Sequence, residues 1–154
     1  MPPKDIAIDE LKDLVGQEIG VSDWHLVTQD EVNAFAKATR DEQWIHVDVE
    51  RAKRESPFGA PVEHGYYTLS LVPYLMDQVW KVTGTAAALN YGLNRLRYPA
   101  PVLVGTRIRL RVVLSEAGNI TGGVQVTVAL TVELEGGTKP ACVAEGVYRF
   151  YQAA

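Results

Sequence analysis

The sequence predicts an α+β fold in which an antiparallel sheet of about five strands covers one buried helix. The second half of the chain alternates apolar and polar residues with a period of two, as half-buried strands do, whereas the first half is helical and rich in loops. One stretch of the first half, from about His64 to Trp80, is apolar on most sides, which is typical of a buried helix. We expect residues 1–154 to form one domain, since the chain has the usual length of one.

The helices of the first half are marked by their N-terminal caps. Thr28 and Glu31 have the spacing of a capping box, and a second, shorter helix is predicted to begin after Asp48. The apolar residues that follow the first cap on one helical face are Val32, Phe35 and Ala36. Pro73 lies inside the long buried stretch and predicts a kink there, because proline has no backbone N–H.

The strands of the second half are predicted from their alternation. The clearest strand has apolar residues at Val124, Val126, Val128, Leu130, Val132 and Leu134. Further strands are predicted over residues 19–27, 107–112 and 141–151. One more strand is predicted just before residues 107–112. In that upstream strand the alternation shifts phase between Leu93 and Leu96, which predicts a β-bulge. The edges of such a sheet favour pairing with a second copy of the chain, so we expect a homodimer.

Charge and composition exclude several classes of partner and site. The net charge is -4, and no Lys/Arg cluster indicates a nucleic-acid partner. No apolar run approaches the roughly 20 residues that a membrane span needs. The first residues lack the apolar segment of a signal peptide, and the single cysteine, Cys142, fits a reducing compartment, so we expect a cytoplasmic protein.

Motifs for several common chemistries are absent from the sequence. We find no G-x-S-x-G, no Walker A motif and no dinucleotide glycine motif. The histidines and the cysteine do not have the spacing of a zinc site. The sequence therefore predicts neither a bound metal nor a cofactor.

Two polar loops, at residues 38–48 and 56–70, contain the candidate catalytic residues. Asp41 and His46 stand five residues apart in the first loop, and Asp48 follows. Taken alone, such residues are weak evidence for catalysis, because a surface aspartate that caps a helix and a hydrogen-bonded structural histidine are the ordinary interpretations. The second loop adds His64 and Gly65 at the start of the buried helix.

Taken together, the two loops resemble the MaoC-like dehydratase family, and in particular the (R)-specific enoyl-CoA hydratases of hot-dog fold. The matching positions are Asp41, His46, Asp48, Phe58-Gly59, Pro61, His64-Gly65 and Ser70. The resemblance extends from about Thr28 to the C-terminus, and residues 90–95 are similar to a subgroup related to nodulation protein N. The chain differs from the pattern at Trp44-Ile45, where many members have Asn-Pro, and at Glu63, where the residue is commonly small or apolar.

The resemblance implies a homodimer that adds water to trans-2-enoyl-CoA to give (3R)-hydroxyacyl-CoA, or that catalyses the reverse dehydration. It implies that Asp41 and His46 share the acid–base work on one water molecule, and it leaves open which of them delivers the proton. The N–H of Gly65, at the start of the buried helix, is the predicted donor to the thioester oxygen. No cofactor is implied beyond the coenzyme A or acyl-carrier arm of the substrate.

Four further residues are candidates for binding the substrate: Ser70, His64, Asn90 and Arg95. Ser70 is placed to orient Asp41 or His46, although a plain helix serine is an equal alternative. His64 is the candidate anchor of the loop that sets Gly65. Asn90 and Arg95 are predicted near the pocket mouth or the subunit contact, where Arg95 faces either a coenzyme A phosphate or solvent.

Two other functions fit the same resemblance. One is thioester hydrolysis on the same fold, but thioesterases of this fold generally place the acid in the helix, and here the helix has only Asp77, far from its start. The other is a non-catalytic domain that binds acyl thioesters, which has no need of an acid–base pair. The sequence leaves open the acyl chain length, the choice between coenzyme A and acyl-carrier protein, and the pathway.

Overall fold

The structure is a computed structural model that describes residues 2–154. Its strands are β1 (Lys4–Ala7), β2 (Glu18–Val21), β3 (His25–Leu26), β4 (Trp80–Thr83), β5 (Thr85–Arg97), β6 (Arg107–Ile120), β7 (Gly123–Leu134) and β8 (Cys142–Gln152). Its helices are α1 (Gln29–Thr39), α2 (Trp44–Val47), α3 (Val49–Glu55), α4 (Gly65–Ser70) and α5 (Val72–Met76), with a 3₁₀ helix at Ile8–Leu14. No helix in this part of the chain is long and apolar enough to cross a bilayer.

The main sheet has six strands and is antiparallel, which confirms the predicted α+β class. Its order is β2-β6-β7-β8-β5, and β3 pairs with β6 beyond the end of β2. The predicted strand over residues 19–27 is therefore two short strands, and the sheet has one strand more than expected. Ser22 lies at the division, where its hydroxyl oxygen accepts a hydrogen bond from the Leu110 N–H at 2.9 Å and so replaces a backbone acceptor of the ladder.

One face of this sheet carries the apolar core. The inward residues of β6, which are Ile108, Leu110, Val112 and Leu114, are each 0% exposed. The arginines between them lie on the outer face, where Arg109 and Arg111 both pair with Glu133. The period-two prediction for this strand is confirmed, and it fixes which face the helices cover.

Two short helices, α4 and α5, stand where one helix over residues 64–80 was predicted. Leu71 separates the two helices, although its N–H still donates to the Tyr67 carbonyl and its carbonyl accepts from the Leu75 N–H, and Pro73 lies in the first turn of α5, where its missing N–H costs least. The predicted kink is thus a division between two helices. The predicted end was wrong, because α5 stops at Met76 and Trp80 begins β4. Val72, Leu75 and Met76 of α5 are buried in the core beneath the sheet.

A second, two-stranded sheet explains the position of Trp80. Strand β4 pairs in parallel with β1, so that Lys4 lies opposite Trp80. The Trp80 ring also meets Phe150 of β8 edge-on, with 6.0 Å between ring centroids. This small sheet was not predicted, because four residues at the N-terminus are too few to show a period.

Strand β5 forms one edge of the main sheet. Its pairing with β8 shifts register between Asn90 and Gly92 and again between Leu93 and Arg95, so the bulge predicted in this region is confirmed. Leu89, Tyr91 and Leu93 are 49%, 58% and 41% exposed. An edge strand with unpaired backbone groups and exposed apolar side chains is typical of a surface that pairs with another chain.

Candidate acid–base site

Helix α1 leads directly to Asp41, and its two ends fix where that residue lies. The helix begins at its predicted cap, where the Thr28 hydroxyl accepts from the Glu31 N–H at 3.3 Å. It ends with Arg40 in the left-handed region at φ 65, which turns the chain sharply before Asp41. The carboxylate of Asp41 is half-exposed, and its backbone carbonyl accepts from His64 Nε2 at 2.9 Å. The first loop is thereby fastened to the second.

His46 lies in the single turn of α2, and one hydrogen bond fixes its tautomer. Its Nδ1 is 2.7 Å from the carbonyl oxygen of Val62, and because a carbonyl only accepts, Nδ1 carries the proton. Nε2 therefore keeps a free lone pair. Burial lowers the pKa of His46 below its ordinary value of 6.5, and His64 lowers it further, whereas the Val62 carbonyl and Asp41 act in the opposite direction. At neutral pH this imidazole is a base.

His64 is buried at 2% exposure and ties the two loops together. Its ring stacks on that of His46, with 3.8 Å between the centroids, and Phe35 of α1 meets it edge-on at 5.0 Å. Because Nε2 donates to the Asp41 carbonyl, Nδ1 holds a lone pair, and this atom is buried without a hydrogen-bond partner among residues 2–154. The position of His64 is that of a loop anchor beside the candidate catalytic pair.

Asp41, His46 and His64 form a compact cluster, which we call the acid–base corner. Their nitrogen and carboxylate ligand atoms lie within 4.8 Å of one another. Such a set has the donor types that bind a divalent ion. The two imidazole planes, however, are stacked and tilted by only 23°, so their in-plane lone pairs run side by side and do not converge on one point. This arrangement fits acid–base chemistry better than metal binding.

Gly65 follows the acid–base corner and begins α4. No acceptor among the described residues is bonded to its N–H, which leaves a free donor at the start of the helix. A Cβ at this position would stand 3.1 Å from the ring of Tyr98, so any larger residue would require that ring to move by a few tenths of an ångström. Beside it lies a cavity of about 350 Å³ whose wall includes Glu63, Gly65, Thr68 and Tyr98.

A polar network behind the acid–base corner was missed by the sequence analysis. Glu31 accepts hydrogen bonds from His25 Nε2 at 2.7 Å and from the Tyr67 hydroxyl at 3.1 Å. Partial burial opposes the ionisation of Glu31, but the hydrogen bonds from His25 and Thr28 hold its pKa below the ordinary value. The spacing of Thr28 and Glu31 indicated a cap and nothing more, since the partners of Glu31 are brought to it by the tertiary fold.

The other predicted site residues lie away from the acid–base corner. The Ser70 hydroxyl donates to the carbonyl of Tyr66 in its own helix at 2.7 Å, so it orients neither Asp41 nor His46. Arg95 is exposed on β5 and lines a shallow hollow at the sheet edge together with Glu145.

Asn90 and Ser70 instead line a groove between the short helices and β5. Two cavities of about 320 and 480 Å³ share Pro73, Asn90 and Tyr148 in their walls, and we call their union the apolar groove. Ser70 stands in the wall of the first cavity, and the second ends at Trp80 and Phe150. The groove thus runs from the end of α4 to the second sheet.

The comparisons with known proteins agree on one family. Residues 10–136 match the model of the MaoC like domain. The chain is 50% identical over 147 residues to 3-hydroxyacyl-thioester dehydratase Z of Mycobacterium tuberculosis, covering 94% of this chain and 95% of that protein. It is 40% identical over 145 residues to nodulation protein N of Rhizobium leguminosarum bv. viciae, covering 93% and 90%.

A solved structure gives the same result for the fold. An (R)-hydratase from A. caviae involved in PHA biosynthesis superposes with a TM-score of 0.72 at 25% identity, covering 87% of this chain and 94% of that one. The hot-dog fold that the sequence resemblance implied is therefore confirmed.

Proposed function

Because this chain belongs to the MaoC-like domain family, we propose that it is an (R)-specific hydratase of trans-2-enoyl thioesters, which also catalyses the reverse dehydration. The observation that carries the proposal is the tautomer of His46. Its Nδ1–H is committed to the Val62 carbonyl, so Nε2 is a free base, and the His46 ring belongs to a cluster whose ligand atoms, one of them from the Asp41 carboxylate, lie within 4.8 Å of one another. A single water molecule fits between two such groups.

The reaction follows from this pair. In hydration, Asp41 and His46 remove one proton from the bound water while its oxygen bonds to Cβ of the enoyl group. The electron pair of the double bond moves onto the thioester oxygen, and the same pair of residues returns the proton to Cα. Because one water supplies both groups from one side, the addition is syn. The (3R) configuration of the product is what the resemblance to (R)-specific hydratases implies. Acid–base catalysis of this kind contributes about 10²–10⁴-fold.

Gly65 supplies the donor for the charge that develops on the thioester oxygen. Its N–H has no partner among residues 2–154, and the partial positive charge of a helix start favours an anion. A single donor of this kind is worth about 10²–10³-fold. The loop over residues 38–48 is thus assigned the removal of the proton from water, and the loop over residues 56–70 is assigned the stabilisation of the enolate oxygen.

The apolar groove is the proposed seat of the acyl chain. Its walls are mostly apolar, with Pro73, Met76, Tyr148 and Phe150 among them, and Asn90 is a polar group partway along. A groove of this character suits a hydrocarbon chain. The substrate class is therefore an acyl thioester, with coenzyme A as the proposed carrier. Arg95 remains a candidate for a coenzyme A phosphate at the sheet edge.

A homodimer is the proposed assembly. The exposed edge of β5 and its apolar side chains Leu89, Tyr91 and Leu93 offer a second copy both unpaired backbone groups and apolar surface. Light scattering coupled to size exclusion tests this directly. A mass of twice 16.9 kDa is expected, and a monomer at every concentration would refute it.

The experiment that tests the function follows the loss of the enoyl-thioester absorbance of crotonyl-CoA. Wild type, Asp41→Asn and His46→Ala are compared, and an (R)-specific or (S)-specific dehydrogenase identifies the product. We expect the (R) product from wild type and a loss of at least about 10²-fold in both variants. Release of free thiol would indicate the thioesterase instead. Binding of acyl-CoA without turnover at any chain length would indicate a binding domain.

A further inference from the structure

Glu63 is the least satisfied polar side chain in the described part of the protein. It is 5% exposed, and neither of its carboxyl oxygens makes a hydrogen bond of normal geometry within residues 2–154, although the Thr68 hydroxyl lies close enough to lower its pKa. A buried polar group without a partner costs about 1–3 kcal/mol, so native proteins seldom keep one unless it has a use. The position is also one where the family resemblance leads us to expect a small or apolar residue.

The backbone around Glu63 is fixed and places it at the candidate site. Its N–H donates to the carbonyl of Val102 at 2.8 Å, and Gly65 with its free N–H follows two residues later. Glu63 and Gly65 share the wall of the cavity of about 350 Å³. A ligand in this cavity is therefore in reach of both residues.

The groups around Glu63 favour its neutral form. Burial raises the pKa of Glu63 to about 8, the negative charge of Glu31 on α1 adds to the shift, and the Thr68 hydroxyl opposes it. Tyr67 of α4 faces both glutamates, and its own pKa is raised by burial and by Glu31. Tyr98 also lines the cavity. No cation among the described residues pairs with the Glu63 carboxyl.

We propose that Glu63 is a catalytic residue that donates its carboxylic O–H to the thioester oxygen of the substrate, as a second donor beside the Gly65 N–H. The missing hydrogen-bond partner of Glu63 is then an atom of the substrate. A carboxylic acid that an apolar site keeps neutral is an effective donor to an enolate oxygen. This inference rests on the proposed hydratase function and assigns it one more residue.

Kinetics of two variants test the donor. Glu63→Gln keeps a neutral donor of nearly the same shape, whereas Glu63→Ala removes the donor. We expect kcat for crotonyl-CoA to fall by about 10²–10³-fold in Glu63→Ala with little change in KM, and to fall by a smaller factor in Glu63→Gln, whose amide is a weaker donor than a carboxylic acid. In wild type, kcat/KM falls as pH rises through the pKa of Glu63, about 8, and Glu63→Gln lacks this alkaline limb. Full activity of Glu63→Ala, or an unchanged alkaline limb in Glu63→Gln, would overturn the proposal.

An infrared measurement tests the contact without requiring turnover. Butyryl-CoA has the thioester but no double bond to hydrate, so its complex is stable. We expect the carbonyl stretch of a neutral carboxylic acid in the free protein, absent from Glu63→Gln, and we expect butyryl-CoA to shift it. Absence of that band, or a band that butyryl-CoA leaves unmoved, would refute the contact. A wild type that hydrates nothing but shows the shift would refute the hydratase function and leave the thioester contact standing.

Discussion

The acid–base corner and the apolar groove are built in opposite ways. The corner comes from two short loops, and each histidine is held by a backbone carbonyl, that of Val62 for His46 and that of Asp41 for His64. The groove is lined by residues far apart in the sequence, from Pro3 to Phe150, and its walls are brought together by the pairing of β5 with β8 and by the packing of the short helices. The difference teaches that one local motif can specify the chemistry, whereas the substrate that fits depends on the entire fold.

The largest expected effect tests whether the chemistry belongs to the corner alone. Asp41→Asn keeps the shape and removes the carboxylate, so we expect kcat/KM to fall by about 10²–10⁴-fold. The factor is expected to be equal for crotonyl-CoA and for dodecenoyl-CoA, because Asp41 lies outside the groove. Parallel progress curves at both chain lengths measure it. A loss confined to one chain length would mean that Asp41 also affects how the acyl chain binds in the apolar groove. An unchanged melting temperature shows that the variant is folded.

The second-largest expected effect is a loss of folding stability caused by the buried carboxyl group of Glu63. Because Glu63 binds its proton more tightly when folded, with a pKa of about 8 against 4.5, the contribution of this group to stability is lost as pH rises between these values. The expected slope is about 1.4 kcal/mol per pH unit. Glu63→Gln lacks the titrating group, so its unfolding free energy exceeds that of the wild type by an amount that grows over this range. Urea unfolding at several pH values measures the difference, and two parallel curves would contradict it.

A third prediction alters the groove and leaves the corner intact. Ala88 lines the larger cavity, so Ala88→Trp fills part of it. We expect kcat/KM for dodecenoyl-CoA to fall by at least about 10-fold while that for crotonyl-CoA is kept. Ala86→Trp is the matched control, since Ala86 lies on the same strand and is equally exposed but is not among the residues that line the cavity. Equal losses on both substrates, or equal losses in both variants, would show that the chain does not lie in this groove.

The same contrast explains what the sequence predicted. Alternation identified β6, β7 and β8, because a sheet with one buried face imposes a period of two on long strands. The caps at Thr28 and Asp48 were visible because they are local. The loop motif marked Asp41 and His46 through a family resemblance. Strand β1 was too short to show a pattern, and the partners of Glu31 and the walls of the groove depend on contacts between distant residues.

The smallest expected effect comes from removing the N-terminal cap of α1, the helix that leads to the acid–base corner. Thr28 caps α1, whose far end leads to Asp41, and Thr28→Ala removes the hydrogen bond to the Glu31 N–H. We expect a loss of about 1 kcal/mol in unfolding free energy, as for other caps. Asp48→Ala removes the corresponding cap of α3, where the aspartate accepts from the Arg51 N–H at 3.1 Å, and serves as the matched control. Because neither cap lines the groove, the ratio of kcat/KM for dodecenoyl-CoA and crotonyl-CoA should remain that of wild type in both variants. A changed ratio in Thr28→Ala alone would mean that α1 positions the groove as well as the corner.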